Sequence, residues 1–266
     1  MSITDHALAI EAAEAGAAVV RDHYGSSLTR FQKGGGDFAT VADVEAEKAV
    51  LGVLRSARPG DVVVGEESGR TGGDATTRTW LVDPLCGTLN YAANTMLVSV
   101  NVALRVESTV TAAASADPFA GEVFWTDGAA AYRRHDGADE PLVPSGRSNL
   151  VDVNLDPPFL RRDGFLAARM LADDDFIARF RPRVVSTTLA VAWVAAGRRA
   201  AYVTDGHLAD SVHFAAGIAL CRAAGCVVTD LDGRPLHSGA GGLVAAADEP
   251  THAALLAVIA KQRRAR

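Results

Sequence analysis

The 266-residue chain carries only three cysteines, Cys86, Cys221 and Cys226. Three cannot build a disulfide framework, so reduced thiols are the reading they allow. No apolar stretch reaches the roughly 20 residues of a membrane-spanning helix, and no membrane partner is expected. The first residues have neither a basic start nor an unbroken apolar run, so no secretory signal is read there and cytoplasm is the expected location. Charge of one sign is scarce as well. Lys and Arg number 26 against 32 Asp and Glu, a formal net charge of −6. A mildly acidic chain offers no electrostatic footprint for nucleic acid or an anionic membrane. It can still take an anionic substrate if metal ions supply the local positive charge.

What is present is an ordinary globular composition, 48% hydrophobic and 22% charged, in a length that suits one large domain or two joined halves. Leu8, Ala12, Ala15 and Val19 recur at helical spacing, with Ser2 or Thr4 as N-cap. Residues 30–40 are Gly-rich and polar in the middle (Lys33-Gly34-Gly35-Gly36-Asp37), which predicts a turn or mobile loop. A second helix is expected over 43–55, stopped by Pro59-Gly60. Strands are expected over 62–64, 80–82, 97–106 and 122–126. Residues 133–147, rich in Gly, Pro and charge, mark a junction between an α+β half, 1–146, and an α/β half, 147–266. In the second half the patterns predict helices over 157–171, 189–196, 212–224 and 251–261. Extended segments fall between them at 183–186, 200–204, 226–230 and 242–247. Short strands alternating with helices argue an α/β class.

Four segments carry possible chemistry. In WLVDPLCGTLNY, residues 80–91, an apolar strand ends at Asp83 and opens into a Gly-containing turn. A carboxylate there is placed to hold a hard cation, and Gly87-Thr88 can present backbone N–H groups to a phosphate. Taken alone, Asp-Pro is more simply a turn. In GEES, residues 65–68, Glu66 also follows an apolar run, so neighbouring strands could bring Glu66 and Asp83 to one cation and orient a water for attack on phosphorus. Asp43, in the Lys33…Asp37…Thr40…Asp43 segment, would stand at a helix start, where an N-cap is the plain alternative. His213, in VHFAAG before AAGC, is a ligand candidate or a satisfied surface histidine.

Together these segments resemble the inositol monophosphatase family, part of the fructose-1,6-bisphosphatase-like superfamily. The family's first signature is Trp, two apolar residues, Asp-Pro-apolar-Asp-Gly-Thr, one residue, Asn-aromatic, and residues 80–91 follow it. GEES and the Lys33-to-Asp43 spacing match two further elements. The second signature, Trp-Asp-x-Ala-Ala-Gly followed by Ala-Gly-Gly, aligns on 212–226 without gaps. The resemblance implies a layered αβαβα fold, a homodimer, and hydrolysis of a phosphate monoester with two or three Mg²⁺ ions and no covalent intermediate. It places Glu66, Asp83 and the Leu85 carbonyl on the first metal. It gives Glu66 and Thr88 the attacking water, the Gly87 and Thr88 amides the phosphate, and Asp43 the positioning of Thr88.

Two positions depart from the family pattern. Cys86 stands where it has its second metal-binding Asp, and His213 where it has the Asp of the second signature. Asp83, Cys86 and His213 would make a poor Mg²⁺ site and a plausible Zn²⁺ or Mn²⁺ site. Three readings stay open: a softer second metal, a slower one-metal enzyme, or a non-catalytic homologue that binds a phosphorylated ligand or a protein. Asp210, three residues before His213, could supply a substitute carboxylate. For substrate contacts, the polar segment Ser186-Thr187-Thr188 falls on a family segment that could bind hydroxyls, with Ser186 and Thr187 the candidates, and Asp205 lies beside Thr204, where the family's inositol-binding Glu would fall. The substrate expected is a small phosphorylated metabolite: a polyol, sugar, cyclitol or nucleotide phosphate.

Overall fold

The computed structural model describes residues 3–26, 29–34, 37–73, 77–155, 167–206, 208, 210–238 and 241–264. Contacts divide the chain into two compact units. The first comprises 1–141 with 187–189 and 212–220, and the second comprises 142–186, 190–211 and 221–266. Where the sequence suggests one division after residue 146, the packing returns two later segments to the first unit.

In the first unit, α1 (Asp5–His23) is followed by β1 (Arg30–Gly34), β2 (Asp37–Thr40) and α2 (Val41–Ala57). Then come β3 (Val62–Gly65), β4 (Gly69–Gly72), β5 (Arg78–Cys86), α3 (Thr88–Ala92) and β6 (Ser99–Val106). β7 (Thr109–Asp117), β8 (Glu122–Thr126), β9 (Ala131–His135) and β10 (Ala138–Pro141) complete it. Thr4 caps α1 as expected, its side chain accepting from the Ala7 N–H. Gly16 lets α1 lie close to α2, since an added Cβ would come within 2.8 Å of Val50.

One sequence expectation needs correction here. Residues 30–34 and 37–40, within a segment read as a loop, form the β1–β2 antiparallel ladder, with Phe31 opposite Ala39 and Gln32 opposite Phe38. Phe38, Ala39 and Thr40 are buried, and burial of these residues favours a strand over the expected loop there. The first unit's main segment ends at 141, inside the 133–147 stretch, which opens with the β9–β10 hairpin; its charged cross-strand pairs, such as Arg134–Asp139, replace the apolar alternation that marks a strand in sequence.

Eight strands form one sheet in the order β10-β9-β8-β7-β6-β5-β3-β4, antiparallel except where β3 lies parallel to β5. Strand side chains alternate between faces. Trp80, Val82, Val100, Val102 and Leu104 pack in the core with α1 and α2. Leu81, Ala103 and Ala113 face the other way, against Ala216 and Ala219. Asp83 therefore shares the face of Leu81. It lies opposite Asn101 on β6, which lies opposite Ser115 on β7.

A register shift separates Asp83 from Cys86, which pairs with Ser99. In a regular strand residues three apart point to opposite faces. One extra residue at Pro84-Leu85 restores Cys86 to the face of Asp83. Pro84 suits a bulge, where no ladder donor is needed.

In the second unit, β11 (Leu150–Val153), α4 (Ala167–Met170), α5 (Asp174–Arg179) and β12 (Arg181–Val184) precede α6 (Leu189–Ala195), β13 (Ala201–Thr204) and α7 (Ala215–Ala223). β14 (Val227–Thr229), β15 (Leu243–Ala246) and α8 (Glu249–Arg264) follow. Its five strands run in the order β12-β11-β13-β15-β14. Their inner face, Val151, Val153, Ala201, Val203, Val244 and Ala246, packs with Leu255, Val258 and Ile259 of α8. Residues 157–166 of the helix expected over 157–171 lie outside the described residues, and α4 is the described part of it. Both units are mixed α and β, the class the sequence patterns imply.

Candidate active site

β3 and β5 lie in parallel register with Gly65 beside Val82, and the Glu66 N–H donates to the Val82 carbonyl at 3.1 Å. Glu66 therefore leaves its strand beside Asp83, the pairing the sequence suggests. The turn after Glu66 is held by a residue the motif reading missed. Glu47 is 3% exposed, and its carboxylate accepts the Glu67 and Ser68 N–H groups, both at 2.8 Å. A Cβ on Gly65 would come within 2.6 Å of that carboxylate, which explains a glycine there. The signal was available: Asp43 and Glu47 lie one helical turn apart on the buried stripe of α2 with Ala42, Ala46 and Val50.

Lys33 reaches across from β1 to Glu66 at 2.9 Å and Glu67 at 2.6 Å. Burial and the charge of Asp83 nevertheless push the Glu66 carboxyl up to about 8, against the opposing pull of His213 and Lys33.

Asp83 is fully buried, and the Nδ1 of His213 lies 2.7 Å from its Oδ2. Burial presses Asp83 upward, but the charge and hydrogen bond of His213 outweigh it and hold the carboxyl below the usual range. For His213, burial works downward, and Asp83 overcomes it and pushes the imidazole up to about 12. Burial and Asp83 raise the Cys86 thiol. One potential ligand atom from each of Asp83, Cys86 and His213 lies within 4.8 Å of the others. His213 sits in the turn that precedes α7, not within a helix beginning at 212 as its pattern predicts. The Phe214 carbonyl accepts the Ile218 N–H and starts the helix. Asp210 belongs to the second unit.

Asp43 is buried at the third position of α2, with Thr40 as N-cap. Its Oδ2 accepts the Thr40 N–H at 2.7 Å and the Thr40 hydroxyl at 2.5 Å. Its Oδ1 accepts the Thr88 hydroxyl at 2.8 Å. Asp43 is thus both a capping residue and the anchor of Thr88. Burial raises its carboxyl against those donors. Thr88 also reaches the Leu85 carbonyl at 3.2 Å, and the Leu85 N–H donates to Asp83 at 3.2 Å. Gly87 has φ +104°, the left-handed backbone that glycine adopts freely.

The family profile for inositol monophosphatases matches residues 4–265. The chain belongs to the inositol monophosphatase family. With membership comes the reaction class, a metal-dependent phosphoric monoester hydrolase. An inositol-1-monophosphatase of Caulobacter vibrioides is 33% identical over 231 residues, covering 84% of this chain and 88% of that protein. A Nus factor SuhB of Pasteurella multocida is 30% identical over 249 residues, covering 90% of each. A solved Thermotoga maritima inositol monophosphatase superposes with TM-score 0.78 at 19% identity, over 95% of each chain. The extragenic suppressor protein suhB from Bartonella henselae gives 0.80 at 24%, over 94% and 96%. At those identities the structures establish the shared fold.

Of the substrate residues the family alignment suggests, Thr187 is 2% exposed, and its hydroxyl donates to the Cys86 carbonyl at 3.2 Å. That hydroxyl is committed within the protein. Ser186 and the buried Asp205 belong to the second unit.

Proposed function

We propose that the protein hydrolyses the phosphate monoester of a small polyol, sugar, cyclitol or nucleotide by direct attack of water at the Glu66–Asp83 pair. The adjacency of these two carboxylates on parallel strands carries the reading. Glu66, Asp83 and the Leu85 carbonyl are the hard oxygen donors that would hold Mg²⁺. Asp83, Cys86 and His213 combine carboxylate, thiol and imidazole, a donor set that fits Zn²⁺ better than Mg²⁺, with Mn²⁺ the harder alternative. Bound there, cations polarise the phosphoryl oxygens and lower the pKa of a bound water.

The protein's own groups do the rest. The Thr88 hydrogen is drawn to Asp43 and the Leu85 carbonyl, which leaves the hydroxyl oxygen free to accept a hydrogen bond from the attacking water. Glu66 would accept the water's proton in its ionised form, which a cation held beside it favours. The Gly87 and Thr88 amides donate to the phosphate, and Ser186 and Asp205 keep their proposed role with substrate hydroxyls. The protein works in this reading as a homodimer in the cytoplasm, consistent with its free cysteines.

The test is phosphate release from a panel of sugar, inositol and nucleotide monophosphates, with Mg²⁺, Mn²⁺ or Zn²⁺ returned to metal-stripped protein. Glu66→Gln should reduce turnover by about 10² or more; normal turnover in that variant sinks the mechanism. One observation favours a second reading. Asp83, the shared carboxylate, is paired with His213, as it would be in a homologue that binds a phosphorylated ligand or a protein without hydrolysis. Silence from every substrate with every metal would support that reading.

A further inference from the structure

We infer that Thr188, braced by Asn101, orients the Cys86 sulfur and so makes the Asp83–Cys86–His213 cluster select a thiophilic cation. This rests on the cluster being a cation site, as proposed above.

Thr188 directs two donors at one sulfur. Its backbone N–H lies 3.3 Å from Cys86 Sγ, and its hydroxyl oxygen lies 3.0 Å away. A backbone N–H can only donate. The hydroxyl oxygen accepts from Asn101 Nδ2 at 2.9 Å, which leaves its own hydrogen for the sulfur. Asn101 is fixed in turn: Nδ2 also donates to Ser99 Oγ at 3.2 Å, and Oδ1 accepts the Ser115 hydroxyl at 2.7 Å. Thr187 clasps the same strand end through the Cys86 carbonyl.

Sheet register builds this brace. Asp83, Asn101 and Ser115 form one rung across β5, β6 and β7, and Ser99 faces Cys86. The rung that presents a carboxylate to the cluster also presents the polar chain that holds its sulfur. Ser99, Asn101, Ser115 and Thr188 are each at most 4% exposed. A cysteine kept for packing behaves as a small apolar group and needs no such partners, and burying four polar side chains is unfavourable unless they are used. Groups of this kind fix the orientation of metal ligands, and losing one commonly lowers metal affinity about 10- to 100-fold. Sulfur favours zinc-like ions over magnesium, so a fixed sulfur sharpens that preference.

The test uses Co²⁺ as a coloured probe, added to the metal-stripped full-length protein. The readouts are the near-ultraviolet thiolate-to-cobalt absorption band and the dissociation constant. Wild type should show the band and Cys86→Ser should not; a wild type without the band overturns the cation-site reading itself. Thr188→Val keeps the shape and removes the hydroxyl. It should weaken Co²⁺ binding about 10-fold or more and leave Mg²⁺ binding unchanged, and Thr188→Ser should recover Co²⁺ binding. A wild-type band together with wild-type Co²⁺ affinity in Thr188→Val would overturn the inference and leave the cation site standing. If Thr188→Val does not fold, Ser115→Ala loosens the far end of the brace. It should lower Co²⁺ affinity in the same direction by less, and unchanged affinity would count against the inference.

Discussion

Asp83 owes its setting to one step of strand alternation. Val82 points into the helix-covered core, and the next residue points to the face where His213 waits 2.7 Å away. Glu66 beside it carries the clearest pH consequence. Its unfolded value is 4.5 and its metal-free folded value about 8, so between these the folded state binds more protons than the unfolded one. The contribution of Glu66 to the stability of the metal-free protein therefore falls as pH rises through that window. Glu66→Gln cannot titrate. Its melting temperature in chelator should therefore gain on that of wild type from pH 4.5 to about 8, even as turnover is lost. Melting curves at several pH values decide the point, and parallel curves would contradict it. Thr88→Ala should lower kcat by about 10² with little change in KM, since the hydroxyl serves the water rather than substrate affinity.

Individual elements show what a sequence reveals and what it hides. The end of β3 before Glu66 was legible because its apolar run stops at an acid, whereas the strand expected to end at Asp83 continues to Cys86. The bulge was not legible, because Pro84-Leu85 reads equally as a turn; only the pairing of Cys86 with Ser99 shows that two residues three apart share a face. The β1–β2 ladder was hidden by three glycines, and Glu47 by its place among ordinary helix residues. Thr188 lay within a segment expected to meet substrate, and its contact with Cys86 spans 102 residues, beyond any local pattern. Two substitutions test this scale. Gly65→Ala drives a methyl into the Glu47 carboxylate and should lower both stability and turnover, because the turn after Glu66 loses its two amide anchors. Trp80, fully buried with its Nε1–H on Asp61 at 2.9 Å, should cost about 3–5 kcal/mol on replacement by alanine, measured by denaturant unfolding.

Across the whole molecule, the family was readable because four short motifs stood in order, while the return of later segments to the first unit was not. The first unit takes in 187–189 and 212–220 from far along the chain, and composition carries no mark of such a return. Those segments bring Thr188, His213 and the alanines that cover Leu81, Ala103 and Ala113.

The separation of 130 residues between Asp83 and His213 has a consequence during synthesis. A ribosome adding about 5–20 residues per second delivers the histidine on the order of ten seconds after the aspartate. Throughout that interval the nascent chain holds two neighbouring acids without their imidazole counter-charge, beside a sheet face with nothing to cover it. The cluster can be completed only after most of the chain has emerged.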